Sequence, residues 1–452
     1  MSEQLILEEI DQNTEEYIEF FRDLIKINSY NPPGNEKDVA VKIEKYLKDI
    51  GIKTELFPFD DNRANLIAYL NDNFEGKNLL YNGHMDIVPP GNINEWKYPP
   101  LSATIKRKKY IYGRGTVDMK SGLAAMAIAL KILKKLKFEL AGNLIFNAVA
   151  DEETGGKYGA GWCLENKLQS IKCDFSIVGE PTGIEPLPQL IILGDKGRII
   201  LKLTTKGISS HSSIPFAGEN AIYMMSEIIH NLNKLEEFIP KIQPPMSISE
   251  IKNLVRPAFP NNEIFERIYK ENPILKDSIT ALTQFTVSLN MINSGIKDNV
   301  VPDECEAIID IRTLPGQSIE DIINGFKKLI NNTGYKVIDN PDSEPNDVYV
   351  HLEIMSQSNG SYWRNWKDSE VLKEFKKICD ECYPKKSIYF LFPASSDAKY
   401  FRNSGYCEQT ILFGPGNASK SHTIDENISI EDFLIAIKVY SLFAYEFLKK
   451  TD

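Results

Sequence analysis

NLLYNGHMDIVP, residues 78–89, starts as an apolar run and gives way within a few positions to His84, Asp86 and Pro89. The run reads as a hydrophobic strand, and His84 stands where that strand ends. A lone histidine at a strand end commonly does no more than bond a backbone carbonyl; it becomes a metal ligand only when distant segments supply partners. Similar apolar runs lie on either side: NLIAYL from 65, NLIFNAVA from 143 and DFSIVG from 174, with the Ala-rich, helical GLAAMAIALKIL from 122 between them. Tyr17, Phe21, Leu24 and Ile25, then Val39, Ile43, Leu47 and Ile50 before Gly51, fall at helical spacing and predict two amphipathic helices. Strands alternating with helices in this way build an α/β domain around a mainly parallel sheet.

After residue 190 the texture changes. LIILGDKGRIILKLTTKG is rich in β-branched residues with no helix directly after it. The segment 220–238 is helical, TALTQFTVSLNMI from 280 and AIIDIRTL from 307 are strand-like, and a helix follows near 319–332. Strand, helix, strand, strand, helix, strand is the order of a small α+β domain of ferredoxin-like type. From about 365 the α/β texture returns with SIYFLF from 387, QTILFG from 409 and a closing helix at 431–449, so the small domain reads as an insert. The expected division is a catalytic domain in two parts, 1–189 and 359–452, around an inserted domain at 190–358. Residues 239–279, with many prolines and charges, read as an excursion within the insert.

Composition narrows the function. A chain of 452 residues exceeds one ordinary core, which also calls for two or three domains. With 42% hydrophobic and 25% charged residues it has the balance of a soluble globular protein. A formal charge of −11 repels nucleic acid and anionic membrane surfaces, so neither is expected as a partner. The acidic start MSEQLILEEIDQ lacks the pattern of a secretory signal, and no apolar run approaches membrane-spanning length, so a cytoplasmic protein is expected. Six cysteines are too sparse for a disulfide framework, and Cys379 and Cys382 have no second pair nearby to complete a zinc site.

The other strands end as the one before His84 does. NLIFNAVA runs into Asp151, Glu152 and Glu153; DFSIVG runs into Glu180; QTILFG runs into GPGNASKSHTIDE with His422; and GRGTVDMKSG places Asp118 between glycines before a helix. Taken singly each has a bland reading, since acidic pairs at strand ends are commonly solvated turns and an aspartate before a helix is commonly an N-cap. Together they put imidazole and carboxylate groups at the carboxyl ends of strands, where an open α/β sheet builds its site. Those are the ligands of a hydrolytic zinc site, and a dinuclear one needs a group able to bridge two ions.

GHMDIVP, GRGTVDMKSG, DEETGG, GEPT and the late GPG followed by SHTIDE resemble, in order and spacing, the M20 family of dinuclear zinc peptidases and deacylases, from about residue 15 to the C-terminus. The resemblance implies a zinc-peptidase-like catalytic domain with an inserted ferredoxin-like lid and dimerisation domain, and two Zn²⁺ with Co²⁺ or Mn²⁺ as possible substitutes. It implies that His84 and Glu180 bind one metal, that Glu153 and His422 bind the other, and that Asp118 bridges them. Asp86 would fix the tautomer of His84, and Glu152 would be the general base for a metal-bridging hydroxide.

In the insert, KGISSHSSIPFAGENAI at 206–222 resembles the family segment with a catalytic imidazole, here His211, and DNVVPDECEAIIDIRTLPG at 298–316 resembles the one supplying Asn299 and Arg312 to the substrate. A guanidinium fork suits a free carboxylate. The plainer readings make His211 a cap of the helix entered near Asn220 and Arg312 a surface strand residue; His230 and His351 have no such context and read as structural. Ser395-Ser396-Asp397-Ala398-Lys399 departs from the family's Gly-Thr-Asp-Ala-Arg. The implied function is hydrolysis of the amide bond of an N-acyl amino acid, as in a deacetylase or desuccinylase. A dipeptidase or carboxypeptidase of the same family is the alternative, with a short peptide as substrate, and a non-catalytic ligand binder is the reading from another class. The resemblance also implies a homodimer in which His211 serves the partner's site.

Overall fold

A computed structural model of the chain describes residues 2–71, 76–185, 187–341 and 348–450. Among the described residues nine strands form a large sheet in the order Lys53–Asp60, Arg63–Tyr69, Asn143–Val149, Asn78–His84, Phe175–Val178, Thr410–Leu412, Leu190–Asp195 and Ser361–Tyr362, with Ile388–Phe392 beside Leu190–Asp195. Its centre is parallel: Tyr81 is level with Phe146 on one side and Ile177 on the other. Asn78–His84 and Asn143–Val149 are buried along their whole length, as expected of strands covered on both faces.

The helices Lys120–Leu136 and Ile430–Leu448 lie side by side against those two strands. Lys120–Leu136 is buried almost all round, which explains its small Ala and Gly residues. Gly122 marks the closest approach, since a Cβ there would stand 2.1 Å from the carbonyl oxygen of Gly179. That contact seats the start of the helix directly on the strand end that leads to Glu180.

A second sheet, five-stranded among the described residues, has the order Thr286–Ser294, Glu304–Thr313, Gly197–Lys206, Tyr349–Ser358 and Val337–Ile338. Strict alternation of burial along Gly197–Lys206 and Glu304–Thr313 gives it one apolar face, covered by the helices Ala221–Asn231 and Ile319–Asn332. Ile199, Leu201, Leu203, Met224, Met225 and Phe326 form its core, separate from that of the large sheet.

Two features depart from the linear reading. The run from 190 divides at Lys196: Leu190–Asp195 pairs in the large sheet with Thr410–Leu412 and Ile388–Phe392, and only Gly197–Lys206 joins the small one. An unbroken β-branched run shows no seam in sequence, because the sheet each half joins is set by non-local pairing. The excursion folds into the helices Ile248–Val255, Asn262–Glu271 and Pro273–Leu282, which bury Ile251, Val255, Phe265, Ile279 and Leu282 in the core of the large sheet beside Met246 from the preceding loop. The chain thus leaves the small sheet, packs on the catalytic body and returns. Cys379 and Cys382, on the helix Glu370–Cys382, are free thiols.

Candidate metal centre

The carboxyl ends of the parallel strands converge on Asp118. Its two carboxylate oxygens face two imidazoles, Oδ1 lying 3.1 Å from His84 Nε2 and Oδ2 lying 3.3 Å from His422 Nε2. Glu180 Oε1 is 3.6 Å from His84 Nε2, and Glu153 Oε1 is 3.2 Å from His422 Nε2. Ligand atoms of His84, Asp118 and Glu153 lie within 4.8 Å of one another, and so do those of His84, Glu152 and Glu180. The sequence-derived set is therefore assembled in one place, with Asp118 in the middle.

Neighbouring groups fix the orientation of these residues. His84 is buried and directs Nδ1 to the main-chain oxygen of Asp86 at 2.9 Å, with the Asp86 carboxylate at 3.5 Å, which turns Nε2 toward Asp118. The Asp86 carboxylate accepts hydrogen bonds from the amides of Glu152 at 3.2 Å and Glu153 at 3.1 Å and from Asn31 Nδ2 at 2.9 Å. Asp86 therefore secures the turn that carries both glutamates, as well as standing beside the histidine. Glu426 does the same for Asp118: buried and paired with Arg114 at 2.7 Å, it accepts the amides of Val117 at 2.7 Å and Asp118 at 3.2 Å. Glu426 stands within the quoted SHTIDE motif with no role assigned to it, and Asn31 lies outside every quoted motif, so nothing in the linear sequence marked it.

The electrostatics are those of a site short of positive charge. Burial, reinforced by Asp118, pushes Glu153 up to about 8 and raises Glu180 well above the ordinary carboxylate range. Burial likewise raises Glu152. Hydrogen bonds donated by its ring to the carboxylates of Asp118 and Glu153 push His422 up to about 11. Burial works to lower His84, but its bonds to Asp118 and Asp86 outweigh that and raise it. Clustered, desolvated carboxylates cannot all ionise without a compensating cation. Glu180 Oε1 is also buried without a hydrogen-bond partner among the described residues, which is costly unless something else occupies its lone pairs. Nitrogen and oxygen donors, excess negative charge and an orphaned carboxylate oxygen together fit divalent metal binding.

The residues expected from the insert lie apart from this cluster. His211 sits on the short ladder Ser210–His211 with Val300–Val301, exposed, its Nδ1 2.7 Å from Ser213 Oγ. Asn299 is exposed and holds the amide of Ser212 through its carbonyl at 3.1 Å. Arg312, on the open face of the small sheet, forms a fork on Asp310 at 2.7 and 3.3 Å. Asn220 caps the helix Ala221–Asn231 with its own side chain, so His211 is not that cap. Lys399 is 7% exposed, has no hydrogen-bond or ion-pair partner for its side chain among the described residues, and sends its charge toward Glu152 and Asp397. A cavity of about 680 Å³ between Gln243–Pro245, Pro315–Gly316 and Arg402 is lined by none of the cluster residues.

A profile described as Peptidase family M20/M25/M40 matches residues 80–446. A probable succinyl-diaminopimelate desuccinylase of Staphylococcus aureus is 30% identical over 444 residues, spanning 96% of this chain and 98% of the relative. An uncharacterized metallohydrolase of Methanocaldococcus jannaschii is 27% identical over 455 residues, spanning 96% and 99%. Among solved structures, the M20 family metallo-carboxypeptidase Sso-CP2 of Sulfolobus solfataricus superposes with a TM-score of 0.75 at 23% identity, covering 96% of this chain and 99% of that one. Human carnosine dipeptidase 1 does so with a TM-score of 0.73 at 15% identity, covering 98% and 99%. These two show the shared fold.

Proposed function

The chain belongs to the M20/M25/M40 peptidase family and is a metallohydrolase, and from that premise we propose that it cleaves the amide bond of an N-acyl amino acid, releasing the free amine. The observation that carries the reading is Asp118 facing His84 with one oxygen and His422 with the other, with Glu153 and Glu180 completing the ring. His84 and Glu180 would hold one Zn²⁺, Glu153 and His422 the other, and Asp118 both; Co²⁺ or Mn²⁺ suits the same donors. When bound, such ions supply acidified water and polarise the scissile carbonyl.

The remaining work falls to side chains. Glu152, on the same turn as Glu153 but offset by one residue, takes the proton of the attacking water and passes it to the departing nitrogen, which leaves poorly until protonated. Asp86 holds that turn through both glutamate amides. Arg312 and Asn299 are the proposed contacts for the substrate carboxylate, which would have to share the guanidinium with Asp310. Lys399, buried with its ammonium 5.0 Å from the centre of the Tyr400 ring and without a hydrogen-bond or ion-pair partner for its side chain among the described residues, is a second cation available to it.

The small sheet and the helices that cover it, within residues 197–358 and without the excursion that packs on the catalytic body, are read as a lid that also dimerises. The outer strand Thr286–Ser294 leaves Met291 and Ile292 exposed, and Phe216 and Ile296 are 98% and 91% exposed, a surface suited to a second copy. Exposed His211 would then serve the partner's metals. Among the described residues no helix is long and apolar enough to cross a membrane. The six cysteines are free thiols, which fits a cytoplasmic location.

A dipeptidase or carboxypeptidase remains the second reading, favoured by the architecture shared with Sso-CP2 and carnosine dipeptidase 1. The test is turnover against acetyl, succinyl and formyl amino acids beside dipeptides, with and without chelator. Chelator-sensitive hydrolysis of acyl amino acids is expected. Preference for dipeptides would transfer the assignment, and tight ligand binding without turnover would make the chain a binder.

A further inference from the structure

The turn that carries Glu152 is held from two sides. On one side is the Asp86 carboxylate. On the other is Tyr400, which the reaction described above does not use. Its hydroxyl donates to the main-chain carbonyl of Gly155 at 2.8 Å. Its ring fills the space that side chains would take on the turn: a Cβ on Gly156 or Gly161 would come within 2.9 or 2.8 Å of ring carbons.

This turn needs outside support. Asp151, Gly155 and Gly156 adopt φ of 73°, 120° and 76°, conformations that L side chains rarely take and that persist only when surroundings impose them. The amide of Gly156, in the same peptide as the Gly155 carbonyl, bonds back to the Asp151 carbonyl at 2.7 Å, so the bond from Tyr400 fixes the peptide that closes the turn around Glu152. Tyr400 is itself anchored. It lies on the short helix Ala398–Asn403, whose buried Arg402 donates to the Thr410 carbonyl at 2.9 and 2.7 Å and to Ser361 Oγ at 3.0 Å. Rigid strands of the large sheet thus reach the glutamate turn through one tyrosine.

We infer that Tyr400 is a positioning residue for Glu152, keeping its carboxylate aimed at the reacting atoms through the Gly155 carbonyl and the glycine-lined slot. The inference rests on the reading of Glu152 as the base. Tyr400→Phe keeps the ring and removes only the hydroxyl. On the N-acyl amino acid turned over fastest, kcat should fall on the order of tenfold, since misplacement of a catalytic group by a fraction of an ångström costs rate. KM and bound metal should stay unchanged, and the melting temperature should fall by no more than the few degrees expected of one lost hydrogen bond. In the metal-free protein the amides of Gly155 and Gly156 should exchange faster with solvent, a readout that needs no activity.

The double variant separates positioning from general support. With Glu152→Gln already present, Tyr400→Phe should cause no further loss, because the group it aims is gone. Unimpaired kcat in Tyr400→Phe beside an inactive Glu152→Gln would overturn the inference and leave the base in place. An equal fractional loss in both backgrounds would also overturn it, showing that Tyr400 acts through the fold. Full activity in Glu152→Gln alone would remove the base assignment, and this inference with it.

Discussion

Glu152 and Glu153 are neighbours in sequence with opposite fates in space. Glu153 bonds His422 at 3.2 Å and belongs to the half of the cluster around that imidazole, while Glu152 faces His84 and Glu180. A carboxylate that moves protons should be dispensable for holding metal. Glu152→Gln is therefore expected to retain bound metal, measured by elemental analysis, and to lose turnover by a factor on the order of 10² to 10⁴, the range for a removed general acid or base. Wild-type turnover in the loaded variant would exclude the role. The identity of His84, Asp118, Glu153, Glu180 and His422 as candidates was legible in sequence because each follows a strand or precedes a helix in a recognisable motif. Which oxygen of Asp118 meets which imidazole was not, since that depends on side-chain directions at the ends of separate elements.

At the scale of elements, the helix Lys120–Leu136 and the strand end at Gly179 show two effects in opposition. Alanine at position 122 would favour the helix by about 1 kcal/mol over glycine. Its Cβ, however, would stand 2.1 Å from a backbone oxygen that cannot swing away, and overpacking of this kind costs about 1–3 kcal/mol. Gly122→Ala is thus expected to lower the melting temperature despite better helix propensity, and to weaken metal retention because the displaced strand end leads to Glu180. A melting scan and a metal titration together check it; a stabilised, fully loaded variant would show that the contact relaxes freely.

The excursion makes a similar case with charge. Lys196, at the crossing between sheets and 4% exposed, donates to the carbonyls of Ala281 at 2.8 Å and Gln284 at 2.6 Å, where the excursion returns to the small sheet. Lys196→Met would strand those acceptors, at about 1–3 kcal/mol. Burial, aided by Arg312, pushes Lys196 from 10.5 down to about 8. Below about 8 the folded and unfolded chains both hold the proton; between about 8 and 10.5 the unfolded chain keeps a proton that the folded chain has released, so stability rises with pH in that window. Denaturant unfolding across it should show wild type gaining on Lys196→Met, and a constant difference would contradict the burial argument.

For the whole molecule, His211 decides between one chain and two. It is exposed on the small sheet's side and bonds only Ser213 among the described side chains, so within its own chain it meets none of the metal cluster. If it serves a partner, mixing inactive Glu152→Gln with inactive His211→Ala and allowing subunits to exchange should restore activity, because both defects fall in one site of the mixed dimer and leave the other intact. Verified exchange without recovery would place His211 in its own chain's site, reached by closure of the lid.

Local pattern alone determined much of this. Periods of two and of 3.6 depend on near neighbours, so the parallel-sheet texture, the small α+β insert, the closing helix and the ligand-bearing motifs could be read from the string of residues. Tertiary structure decided the rest. It assigned Leu190–Asp195 and Gly197–Lys206 to different sheets, laid the excursion on the large core, gave the Asp86 carboxylate to two glutamate amides, and put Tyr400 against a turn 245 positions away in sequence. Each of these rests on a surface buried against, or a hydrogen bond closed with, a segment far along the chain, and such pairings leave no periodic trace where either partner is written.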